Sequence, residues 1–165
     1  MSRFTLHALA LGVATATFSL SAQATTNIQW WHAMGGQLGN LLEEMTEDFN
    51  ASQDDYRVTP SYRGNYTETM TGAIAAFRAG EQPHILQVFE VGTGTMMNAD
   101  GAIYPVYELM EAHGRAFDPD AFLPAVVGYY TDTNGNMLSF PFNSSTPIMY
   151  YNRDVFEAAG LDPEQ

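Results

Sequence analysis

The sequence predicts an α/β fold, a mostly parallel sheet with helices flanking it. Three observations carry this prediction. Apolar or alternating runs recur at residues 26–31, 56–62 and 85–89, the intervals between them are long enough for helices, and both intervals place apolar residues at helical spacing. Strand, helix, strand, helix, strand in that order gives parallel neighbours, because each helix returns the chain to the edge where the last strand began.

The elements follow in order. Residues 26–31 (TNIQWW) read as the first strand. The helix after it carries Leu38, Leu41, Leu42, Met45 and Phe49 on one stripe and Glu43, Glu44 and Glu47 opposite, so the stripe is expected to pack on the sheet. Tyr56, Val58 and Tyr62 alternate along the second strand, which breaks at Arg63-Gly64. A second helix from about Thr67 to Ala79 should bury Met70, Ala73, Ile74 and Phe77 and stop at Gly80. The third strand, 85–89, is apolar except for Gln87 and runs straight into Glu90. Beyond it the pattern predicts a short helical run near 95–99, a helix from Val106 to Gly114 and another opened by Asp118-Pro119. A hairpin over 129–140 about Asn134-Gly135, an apolar strand over 147–151 and a short helix over 154–160 complete the pattern.

Composition narrows the classes of function. The chain has 165 residues, of which 45% are hydrophobic, enough for a domain with a core. Its formal net charge is −13 and its six basic residues are all arginine, which leaves no cationic footprint for a phosphate backbone and argues against nucleic acid as a partner. Cysteine is absent, so disulfides, thiolate metal sites, cysteine nucleophiles and lipidated cysteines are excluded together. At the start, Arg3, an apolar run to about Leu20 and Ala22-Gln23-Ala24 read as a Sec signal peptide, residues 1–24, cleaved after Ala24. The run is short and diluted by His7 and threonines, which argues against a membrane anchor. The last residues, GLDPEQ, follow a helix stop with no closing element, and the expectation is a truncated chain.

In an open α/β sheet, ligands sit beyond the carboxyl ends of the strands. Trp31-His32 follows the first strand, Arg63-Gly64-Asn65-Tyr66 the second, and Glu90 the third. A carboxylate, aromatic rings and a polar loop on one rim suit a hydroxylated ligand, the acid accepting hydrogens and the rings covering apolar faces. A helix-capping or salt-bridging role for Glu90 fits its position equally well. Asn143-Ser144-Ser145-Thr146 offers amides and hydroxyls to an anion's oxygens, or else forms an ordinary capped turn. His32, His84 and His113 lack metal-ligand spacing, Asp132-Thr-Asn134-Gly-Asn136 is a turn rather than a calcium loop, and no nucleophile motif is present. No metal, cofactor or catalytic residue is therefore expected.

The segments WHAMGGQLG, YRGNYTETMTGAIAAFRAG, ILQVFEVGTGTMM and PFNSSTPIMYYNRDVFEAAGLDPEQ closely resemble the glycerol-phosphate-binding members of the family 1 extracellular solute-binding proteins of bacterial ABC importers. The resemblance covers nearly everything after the signal peptide. It implies a type II periplasmic-binding-protein architecture, two α/β lobes joined by a hinge. Residues 25–145 would be the first lobe, incomplete without C-terminal return segments, and residues 146–165 the hinge crossing and start of a truncated second lobe. It implies a monomeric periplasmic receptor, not an enzyme, for a small phosphorylated polyol, sn-glycerol-3-phosphate or a glycerophosphodiester such as glycerophosphocholine. The receptor would deliver its ligand to two membrane permease subunits powered by a cytoplasmic ATPase. The family's ligand positions fall on Tyr66, Glu90 and Ser145, with Trp31 and Ser144 as cleft wall. A sugar-specific receptor is the nearest alternative, a secreted carbohydrate hydrolase a more distant one. Incompleteness also implies weak or no ligand binding by residues 1–165 alone.

Overall fold

A computed structural model describes residues 24–99, 101–115 and 118–162. The signal-peptide reading of residues 1–24 lies outside the described residues, apart from Ala24. Strands β1 (Thr26–His32), β2 (Tyr56–Tyr62) and β3 (Ile85–Leu86) form a parallel sheet in the order β2-β1-β3, so β1 is central. Helix α1 (Gly36–Ser52) joins β1 to β2, and α2 (Tyr66–Ala79) joins β2 to β3. Then come α3 (Glu90–Met97), α4 (Val106–Ala112), a 3₁₀ turn at Pro119–Ala121, α5 (Pro124–Tyr130) and α6 (Arg153–Ala158).

The outer edge of β2 is closed by side chains of α1 and the turn after it. Asn50 exchanges two 2.8 Å hydrogen bonds with the Val58 backbone, and Gln53 two at 2.7 Å with that of Tyr56. Amides that imitate a neighbouring strand in this way blunt an exposed edge. Alternation places the nitrogen of Pro60 on the same outward side as that of Val58, where a missing N–H leaves no ladder bond unmade.

On the opposite edge β3 is shorter than the predicted run over 85–89. Ladder pairing stops at Leu86, and Gln87 takes over with both backbone and side chain, its N–H donating to the Trp31 carbonyl (2.9 Å) and its Oε1 accepting from Ala33 N–H (3.0 Å). Once a side chain satisfies the next donor of β1, the strand need not continue. Helix α3 then begins at Glu90, several residues before the predicted 95–99.

Other elements also depart from expectation. In α1 the sheet-facing line is Leu42, Thr46 and Asn50; Leu38, Leu41, Met45 and Phe49, predicted to be buried, are between 44% and 59% exposed. The helix rolls so that Asn50 reaches the β2 edge, which turns the leucine-rich stripe aside. Asp118-Pro119 opens only the 3₁₀ turn, and the helix starts afresh with Pro124 at its first position, because the residue before a proline is pushed to extended backbone. Tyr129 and Tyr130 belong to α5, so the hairpin predicted over 129–140 reduces to a turn with one antiparallel bridge, Thr131 to Met137. Residues 147–151 do not form the predicted strand: no described strand runs beside them, and Ile148, Met149 and Tyr150 are exposed.

Candidate functional site

Local structure explains how each candidate residue is held. Gly64, at φ +87, makes the turn after β2, where a Cβ would collide with the Glu68 carboxylate. The next residue caps α2: Asn65 Oδ1 accepts from Glu68 N–H (2.9 Å) while Glu68 Oε2 accepts from Asn65 N–H (2.8 Å). This reciprocal box fixes the first turn of α2, whose first residue is Tyr66. The Tyr66 ring lies 5.5 Å from that of Phe89, the N-cap residue of α3, and Glu90 follows at the first helical position. There the helix dipole favours a negative charge on the exposed carboxylate.

Glu90 opens onto a cleft of about 420 Å³ between α3 and the end of α5, lined also by Thr93, Met97, Tyr129, Tyr130 and Leu138. Tyr130 is half-buried; burial first, then the Glu90 charge and Tyr66, hold its phenol above the usual tyrosine range. Glu90 and Tyr130 thus line one cleft, whereas Tyr66, packed on Phe89, is not among its lining residues. The sequence reading missed Tyr130 by assigning it to a hairpin. The signal was present: Pro124 at a helix start, followed by Val126, Val127 and Tyr130 at helical spacing.

Trp31 lies outside that cleft lining, at the carboxyl end of β1, where the Arg63 guanidinium stacks on its ring at 4.0 Å. Beside it His32 is buried, its Nδ1 accepting from Met34 N–H (3.3 Å). Desolvation lowers the pKa of His32 below its ordinary value, against the opposing pull of Glu43. Ser144 and Ser145 are exposed and are not among the residues lining the Glu90 cleft. They follow a tethered segment, in which Phe142 meets Trp30 edge-on at 5.3 Å and Asn143 sits 3.5 Å from Gln87 Nε2. Among the described residues no group of three or more histidines and acids is placed to hold a metal ion, and no helix is long and apolar enough to cross a membrane.

A parallel sheet with polar, aromatic and anionic groups beyond its strand ends is the arrangement in which open α/β folds seat ligands. The family model for bacterial extracellular solute-binding proteins matches residues 35–165, and the chain belongs to that family. The sn-glycerol-3-phosphate-binding periplasmic protein UgpB of Escherichia coli O6:K15:H31 (strain 536 / UPEC) is 52% identical over 164 residues, which cover 99% of this chain and 36% of the relative. The chain therefore spans about a third of that relative's length. Among solved structures, a cyclic alpha-maltosyl-1,6-maltose binding protein from Arthrobacter globiformis aligns with TM-score 0.64 at 22% identity, over 86% of this chain and 34% of the other. A designed esterase aligns with TM-score 0.66 at 18% identity, over 83% and 32%. At such identities both likenesses establish the fold alone.

Proposed function

We propose that this chain contributes the first lobe, residues 25–145, and the hinge crossing with the start of the second, 146–165, to a periplasmic receptor of an ABC importer. The receptor captures sn-glycerol-3-phosphate or a glycerophosphodiester such as glycerophosphocholine. It hands the ligand unchanged to two permease subunits driven by a cytoplasmic ATPase. The observation that carries this reading is the 52% identity over 164 residues to a glycerol-3-phosphate-binding periplasmic protein. Export by the segment 1–24, a signal peptide by its sequence pattern, is part of the same proposal.

The chemistry of the candidate residues is consistent with binding. Glu90 is anionic and repels phosphate, so its role is to accept hydrogens from the glycerol hydroxyls. Tyr66 and Ser145 donate to ligand oxygens, with Trp31 and Ser144 as wall of the wider cleft between the two lobes, since all four stand outside the lining of the α3–α5 cleft. Rejection of ligands lacking a hydroxyl follows, because an unpaired buried polar group costs about 1–3 kcal/mol.

Calorimetric titration of the protein at its native length tests the proposal. Binding of sn-glycerol-3-phosphate or glycerophosphocholine, with none of maltose, is expected. Glu90→Gln removes the charge from the acceptor and should weaken binding roughly 5- to 30-fold. A protein that binds maltose and neither phosphorylated polyol, or that hydrolyses a glycoside and loses turnover in Glu90→Gln, overturns it.

A further inference from the structure

We propose that Tyr130 is a specificity-determining ligand residue: its phenol, lining the same cleft as Glu90, donates a hydrogen bond to a hydroxyl of the bound polyol. The inference deepens the functional reading above and rests on it. Three features support it.

The first is complementarity. A hydroxyl group both donates and accepts, and it is read in full only by an acceptor and a donor together. In the α3–α5 cleft Glu90 supplies the acceptor. Tyr130 supplies the donor, since a phenol carries its proton at neutral pH and this one lines the same cleft as the carboxylate. A hydroxyl seated between them uses both of its capacities.

The second is rigidity. Tyr130 is the last residue of α5, and its carbonyl accepts from Leu138 N–H at 2.8 Å, so the far side of the turn is tied to it. Within the turn Asp132 gathers three donors, Asn134 N–H and Asn136 N–H on Oδ1 at 2.8 Å each and Asn136 Nδ2 on Oδ2 at 2.9 Å. Those bonds hold the Asp132 carboxyl below the usual carboxylate range. Met137, 1% exposed, anchors the returning segment, and its carbonyl accepts from Tyr107 N–H (3.0 Å). The stretch that resembles a calcium loop is a clamp that fixes where Tyr130 and Leu138 stand. A preorganised donor gives more discrimination than a mobile one, since little ordering entropy is lost on binding.

The third is the size and character of the cleft. About 420 Å³ lined by the apolar Met97 and Leu138 together with the polar Glu90, Thr93 and Tyr130 suits a small polyol with few polar contacts.

The test is a ligand-by-residue cycle on the native-length protein. Parent and Tyr130→Phe are titrated with sn-glycerol-3-phosphate, with 3-hydroxypropyl phosphate, which lacks the central hydroxyl, and with 2-hydroxypropyl phosphate, which lacks the terminal one. Tyr130→Phe should bind sn-glycerol-3-phosphate about 5- to 15-fold more weakly. It should lose nothing further against the one analogue that lacks the hydroxyl it reads. Equal affinities in parent and variant, or the same fold-loss for all three ligands as a merely structural role would give, overturn the inference and leave the functional reading standing. Failure of the parent itself to bind sn-glycerol-3-phosphate or glycerophosphocholine overturns the reading beneath it. Should Tyr130→Phe fail to fold, the ¹³Cζ resonance of Tyr130 in labelled parent protein decides. It should move with sn-glycerol-3-phosphate and not with the deoxy analogue, and a resonance unmoved by any ligand counts against the proposal.

Discussion

Gln87 joins the central strand, the short edge strand and the segment that leads to Ser144 and Ser145, and replacing it with leucine tests that junction. The amide is 7% exposed, and its Oε1 is the partner of Ala33 N–H at 3.0 Å. Leucine has nearly the same volume but accepts nothing, so Ala33 N–H loses its partner in a part-buried place, at a cost of about 1–3 kcal/mol. The second bond, to Asn143 Oδ1, is at the limit of hydrogen-bond length at 3.5 Å and adds little. Burial of the leucine methyls returns up to about 1 kcal/mol. Gln87→Leu should therefore destabilise the native-length protein by about 1–2 kcal/mol, whereas Asn143→Ala, which removes only the long contacts, should cost less than about 1 kcal/mol. Urea unfolding followed by tryptophan fluorescence measures both. Amide exchange at Ala33 should quicken in the first variant only. An unchanged midpoint for Gln87→Leu, or a larger loss for Asn143→Ala than for Gln87→Leu, refutes the assignment of the Gln87 side chain as a strand substitute.

Asn65→Ala removes the α2 capping box and should cost about 1 kcal/mol in thermal unfolding while weakening ligand binding through Tyr66; intact stability would show that the box does not hold this helix start. Gly92→Ala places a Cβ 2.8 Å from Met70 Sδ and 2.9 Å from Phe89 Cε1, so the ring against Tyr66 must shift; a loss of about 1–3 kcal/mol in stability is expected, with weaker ligand titration, and a neutral result would mean that the α2–α3 contact is loose. Because burial depresses the pKa of His32, its neutral form is favoured in the folded state. Its stability contribution is complete above the ordinary value of 6.5 and is lost as pH falls from there toward the lower folded value. Unfolding midpoints should decline over that window, and His32→Gln should flatten the slope; the same slope in the variant would assign it elsewhere.

The elements that local chemistry decides were legible in the sequence. The α2 start could be read from Asn65 and Glu68 and its stop from Gly80, which adopts φ +74 at the C-cap. The parallel β1–β2 pair follows from alternation and from the helix between, in register from Thr26↔Tyr56 to His32↔Tyr62. What tertiary contacts decide was not legible. Periodicity finds the apolar stripe of α1, but the roll of the helix is set by Asn50 bonding to Val58, a contact eight residues apart that no hydropathy pattern contains. Residues 147–151 have strand composition, but composition does not supply a neighbouring strand.

Glu90 brings these two kinds of information together. Read along the chain it interrupts an apolar run, which poses the question of a carboxylate within a strand. In the structure the strand has already ended at Leu86, and the acid is the first residue of a helix, exposed to water, where the aligned peptide dipoles favour its charge. Glu90 is not a cap, since Phe89 holds that position and no side-chain cap hydrogen bond forms, but a place in the first turn and a ligand-binding role do not compete. The helix start favours the charge of a carboxylate in a cleft whose described lining holds no cation, and such an acceptor is free to take hydrogens from a neutral hydroxyl. A basic residue introduced one turn along the same helix, as in Thr93→Lys, should then lower affinity for a polyol phosphate by occupying the carboxylate, although it adds attraction for the phosphate. Titration showing tighter binding in that variant would place the phosphate, not the hydroxyls, at Glu90.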